Sequence, residues 1–158
     1  QKNFATLSEC WPYLIVFLSM IMVGVGSAYY HWQPDNTALF WDRLPIATGI
    51  MGLLAATVTE RVGSRQGLQW LPVLVMIGSA SVIYWGWSEQ QGAGNLNFYI
   101  VVQFCSIFLI ILLAILFPSR YTRGTDIYVV IFLYGLAKLA EMLDGEIYHL
   151  GQVVRHRF

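Results

Sequence analysis

Long apolar runs alternate with short polar segments along this chain. Five of the runs approach the ~20 residues that an α-helix needs to cross a bilayer. They cover about 11–32, 44–60, 68–87, 96–117 and 126–150. The first holds no charge, the second is short and rich in Ala, Gly and Thr, and the fourth is the most uniformly apolar. The fifth differs, because Lys138, Glu141, Asp144 and Glu146 lie within it. The segments between are short and carry turn signals: Pro34-Asp35-Asn36, Gly63 with Gly67, a Ser/Glu/Gln/Gly/Asn stretch over 88–95, and Pro118 with Gly124. Short connections make sequence neighbours into antiparallel spatial neighbours. The pattern predicts an all-α polytopic transmembrane bundle of about five spans, forming a single domain over 1–158.

Composition agrees. Hydrophobic residues make up 57% and charged residues 11%, against about 25% charged in an ordinary soluble domain. A soluble fold of this size has too little interior to hide that much apolar surface. The formal net charge is zero, and no basic stretch offers a footing for nucleic acid. Cys10 and Cys105 form no paired motif and read as small buried hydrophobes.

Loop cations give an orientation. Lys2, Arg61, Arg65, Arg120 and Arg123 fall on one side, and Arg43, Arg155 and Arg157 on the other. The start of the first span is therefore expected in the cytoplasm. Trp and Tyr gather near the span ends, including Trp11, Trp32, Trp41, Trp70, Trp85, Trp87 and Tyr99. That is the distribution of an interfacial aromatic belt.

Two clusters carry candidate chemistry. Ser27 and His31 are four apart on one face of the first span, and Asp42 follows a turn at the mouth of the second. A hairpin would bring Asp42 beside His31. Such a set suits a metal–water centre, with His as ligand, Asp as general base and Ser steadying an oxyanion. The plainer alternative makes His31 an interfacial residue, Ser27 a packing residue and Asp42 the helix cap before Leu44. In the fifth span, steps of three keep Lys138, Glu141 and Asp144 on neighbouring faces. A charge at bilayer depth costs at least ~2.5–3.5 kcal/mol, so these groups are expected to face the bundle interior. They read as a proton or ion path, a second layer around a metal, or a structural ion pair. His149 and His156 are seven apart and match no metal-ligand spacing.

The stretch GSAYYHWQPDNTALFWDRLP from Gly26 to Pro45 resembles the signature of the alkaline ceramidase family, in its bacterial ceramidase-like branch. Later similarities are SVIYW at 81–85, VVQF at 101–104 and YGLAKLAEMLDGEIY at 134–148. The resemblance implies a seven-span membrane hydrolase that uses zinc to cleave the amide bond of ceramide-type lipids. It implies His31 as a zinc ligand and Ser27 and Asp42 as the catalytic partners of a zinc-bound water. It also implies that the five spans are the middle of that frame, lacking its first and last spans. The family completes its zinc site with an HxxxH pair, and no HxxxH occurs in this sequence. Two functions follow as expectations. One is a ceramidase-like hydrolase acting on membrane lipids. The other is a non-catalytic subunit that keeps the frame and packs against other transmembrane subunits.

Overall fold

In a computed structural model, the backbone of residues 7–155 and the side chains of residues 7–140 and Leu143 are described. The described residues are all-helical, in line with the apolar pattern. A 3₁₀ turn at Leu7–Cys10 leads into α1 (Trp11–Trp32), followed by α2 (Asn36–Arg61), α3 (Ser64–Gln90), α4 (Asn97–Leu116) and α5 (Asp126–Arg155). Four of these, α1 to α4, are long and apolar enough to cross a membrane. The protein is a multi-pass membrane protein. The chain divides into two compact units, residues 1–124 and 125–158.

In the first unit α2 is central and packs against α1, α3 and α4. Its small residues explain why. Gly49 faces Ser19, and a methyl on Gly52 would lie 3.0 Å from Ile15. On the other side, a methyl on Gly78 of α3 would lie 3.0 Å from the Ala47 carbonyl. Small side chains let helix backbones approach closely where no hydrophobic effect drives them together. The pairs 15/52 and 19/49 run in opposite directions, as do 47/78 and 59/67, so α1 and α3 are both antiparallel to α2. α4 runs parallel to α2, since Ser106 meets Met51 and Ala114 meets Arg61.

Polar groups inside the apolar layers are satisfied locally. Thr57 and Thr59 donate to the carbonyls of Leu53 and Ala55, each at 2.8 Å. The hydroxyls of Ser19 and Thr48 share a bond of 3.2 Å across the α1–α2 seam. Such bonds remove the cost of bare hydroxyls in a medium without water.

Several expectations change. The second span begins at Asn36, well before residue 44. The helix start is set by Asp35, whose carboxylate accepts from the Ala38 amide at 2.7 Å. Asp42 is therefore not the cap or the mouth of that helix. It lies inside it, in the second turn. Arg61 is not a loop cation. It is the last residue of α2, only 7% exposed, and it donates to the carbonyls of Ala114, Phe117 and Gly124 at 3.0, 2.7 and 2.7 Å. A helix C-terminus leaves carbonyls without intrahelical partners, and one guanidinium answers those of α4 and of the loop after it. Trp85 and Tyr99 are core residues, at 2% and 5% exposure, rather than part of the aromatic belt. Trp11, Trp32, Trp41, Trp70 and Trp87 are exposed, as a belt requires. Cys105 lies exposed on α4 and Cys10 is half-buried, so neither is a core residue.

The second unit is the single helix α5. Lys138 is half-buried on it. The side chains of Glu141, Asp144 and Glu146 lie outside the described residues, as do those of His149 and His156.

Candidate functional site

The site grows out of the α1–α2 hairpin. The last turn of α1 closes when the Gln33 amide donates to the Tyr29 carbonyl at 3.0 Å. Pro34 cannot continue a helix in this position, because it has no amide and restricts the residue before it. Asp35 then begins α2, and the Gln33 side-chain amide donates to its second carboxylate oxygen at 3.1 Å. The chain thus reverses within three residues, 33–35.

Two turns into each helix the backbones nearly touch. A methyl on Gly26 would fall 2.5 Å from the Trp41 carbonyl oxygen and 2.9 Å from the Asp42 Cα. Only glycine fits such an approach. The sequence of α2 adds a second reason. Pro45 is four residues after Trp41 and has no N–H, so the helix ladder makes no bond to the Trp41 carbonyl there. That same carbonyl is the one turned toward Gly26.

This contact places the predicted residues. Ser27 follows Gly26 directly and is half-buried, and Asp42 is half-buried across the seam. The structure brings those two positions to one level. His31 lies a full turn further along α1, on exposed surface, with its ring 5.9 Å from the neighbouring Tyr30. Among the described residues no three His, Cys, Asp or Glu side chains gather as a metal site would require. A hydrolytic zinc takes about three protein ligands. His31 and Asp42 do not make such a site by themselves, and the zinc implied by the resemblance does not fit the described donor set.

Arg43, one residue after Asp42, reaches to the opposite side of α2. Its guanidinium carbon is 4.3 Å from the centroid of the Trp85 ring and 5.7 Å from that of Tyr99. Both are cation–π distances. At the rim, the Asn36 side-chain amide donates to Glu89 at 3.0 Å and ties the start of α2 to the end of α3. A cleft of about 450 Å³ opens between these helix ends.

The opposite end of the unit holds a polar cluster that hydropathy concealed. Glu9, 4% exposed, accepts from Ser64 at 2.6 Å and from Tyr121 at 2.9 Å. Glu60 accepts from Ser119 at 2.5 Å and from Tyr13 at 3.3 Å. Burial, and after it the hydrogen bond to Glu9, push the Tyr121 phenol above its ordinary range. Nothing in the sequence singled out Glu9. The pairing of Glu60 with Arg61 at the close of an apolar run was a usable signal, since a charge there either leaves the membrane or finds partners.

Protein-family models, curated proteins and solved structures give no match to this chain.

Proposed function

We propose that this chain carries part of a lipid-amide hydrolase site, acting on ceramide-like lipids in a bacterial inner membrane. The observation that supports the reading is the Gly26 contact, which sets Ser27 and Asp42 at one level of the bundle. They are the two polar residues to which the resemblance to the alkaline ceramidase family gives catalytic roles. In this reading Asp42 takes a proton from the attacking water. The Ser27 hydroxyl donates to the amide oxygen as negative charge builds on it. The C–N bond then breaks, and the amine leaves with a proton as a sphingoid base beside a fatty acid. His31 would help bind zinc only together with donors from outside the described residues, and no role in these steps is given to the metal.

Hydrolysis of N-acylsphingosine by the full-length gene product tests the reading. Asp42→Asn and Ser27→Ala are each expected to lower the rate by roughly 10²-fold or more. Unchanged hydrolysis in Asp42→Asn overturns it. Metal analysis of the same preparations decides the zinc question, since a zinc that depends on His31 is lost in His31→Ala.

A second reading is a non-catalytic transmembrane subunit of a larger complex. The outward face of α1 supports it, because Phe17, Met20, Ile21 and Val25 are each at least 60% exposed on that helix. Such a face suits another helix as well as lipid. A subunit co-purifies with partners at fixed stoichiometry, whereas a monodisperse monomer that hydrolyses ceramide excludes this reading.

A further inference from the structure

The hairpin end of the first unit is short of cations. Residues 33–42 and 86–99 contain no Lys or Arg, while Asp35 and Glu89 stand at the start of α2 and the end of α3. The exposed Arg65, Arg120 and Arg123 lie at the opposite end of the unit. Asp35 answers the positive end of α2, where the Ala38 amide donates to it at 2.7 Å. Glu89 has no such task. It is half-buried, and among the described residues the one group that bonds it is the Asn36 side-chain amide at 3.0 Å. That donor is neutral and leaves the charge of the carboxylate uncompensated. The end of α3 adds to it, because its last turn has no basic residue and its final carbonyls carry partial negative charge.

Glu89 lines the 450 Å³ cleft together with Phe40, Trp85 and Trp87, a volume within the usual range for small-ligand sites. Gly86 lets the Phe40 ring lie against α3, since a methyl there would come 3.1 Å from it. Aromatic rings attract cations through their faces. Arg43, on the Trp85 ring, does not line the cleft. It is seven residues from Asn36, roughly 10 Å along α2, so the nearest charge at the rim is that of Glu89. A hard divalent cation such as calcium takes about six to eight oxygen ligands, and this cleft offers one carboxylate. Rings beside a single anion suit a methylated ammonium instead.

We propose that this cleft binds a methylated ammonium group, with Glu89 as its counter-ion and Phe40 and Trp87 as its aromatic walls. The proposal stands apart from the hydrolase reading, since it uses neither Ser27 nor Asp42.

Calorimetric titration of the full-length protein in uncharged maltoside micelles at low salt tests it, with protein-free micelles as the blank. Decyltrimethylammonium is expected to bind saturably at one site, and decanol and decanoate are expected not to. Glu89→Gln keeps an acceptor for Asn36 and Trp87→Leu keeps an apolar wall. Each should weaken decyltrimethylammonium roughly tenfold or more, and Trp87→Phe should recover most of the Trp87→Leu loss. Trp87 is 58% exposed, so its replacement leaves the packing of the unit intact. Choline assigns the source, and either result upholds the site: binding within about tenfold of decyltrimethylammonium makes the occupant a soluble cation, and weaker binding makes it a lipid headgroup. Absence of saturable decyltrimethylammonium binding, equal binding of decanol, or unchanged binding in Glu89→Gln overturns the proposal.

Discussion

Gly26 and Asp42 meet across the α1–α2 seam so closely that a methyl on the first would stand 2.9 Å from the Cα of the second. The neighbouring atoms are backbone and cannot rotate away. Gly26→Ala is therefore expected to push the helices apart and cost about 1–3 kcal/mol, as overpacking does. Gly24 is a built-in control. It lies one half-turn earlier on the same helix with open space around it, so Gly24→Ala should be neutral or slightly stabilising. Thermal unfolding of the two variants in detergent checks the contrast.

Asp35 sets the start of α2, and substitution at the cap tests it. Asp35→Ala removes the acceptor for the Ala38 amide and is expected to cost about 1 kcal/mol. Asp35→Ser should retain most of that. Unfolding midpoints of the two variants check the cap.

Arg61 binds three carbonyls from α4 and the loop that follows it. Arg61→Ala leaves these buried acceptors unanswered, at about 1–3 kcal/mol for each that water cannot reach. Lysine is a compact charge without the planar fork. Arg61→Lys is thus expected to recover only part of the loss. Denaturant titration, or loss of solubility on extraction, gives the order wild type, Lys, Ala.

The Tyr121 phenol is raised by burial and by Glu9. A group whose folded pKa is raised adds stability that is fully present below its unfolded value of 10.0 and is lost as pH climbs through the folded value. The Glu9–Tyr121 link should therefore be constant from neutral to mildly alkaline pH and fail only in strong alkali. Ultraviolet titration of wild type minus Tyr121→Phe should show one tyrosine ionising above the normal range.

Hydropathy made the helices legible because a bilayer demands long apolar runs and little else does. It missed the first eight residues of α2, from Asn36 to Arg43, because those turns mix Asn, Thr, Asp and Arg with Phe and Trp. The Asp35 cap was the available sign, two residues after the turn began. Counting Arg61 as a loop charge followed from the same bias, which assumes that cations leave the membrane. Here the backbone of α4 and its loop draws the cation in. Arg43 and Trp85 were also taken apart by the pattern, one as a charge outside and one as a belt aromatic. Only the packing of α2 on α3 joins them. The short hairpin suggested Asp42 beside His31, whereas the close approach of α1 and α2 falls at Gly26, next to Ser27. The place of His31, exposed at the helix end, depended on where the helices cross, and spacing alone does not fix that.

Glu9 and Tyr121 lie 112 residues apart in sequence. The chain emerges from its N-terminus, so Glu9 is made long before the tyrosine that it will hold. Four helices, α1 to α4, must be threaded into the bilayer first. Closing this bond is thus among the last events in assembling the first unit, and it works as a seal that registers completion of α4. A chain stopped anywhere before Tyr121 would leave a carboxylate at the membrane edge lacking that bond, which is the kind of exposed defect that quality-control proteases can read.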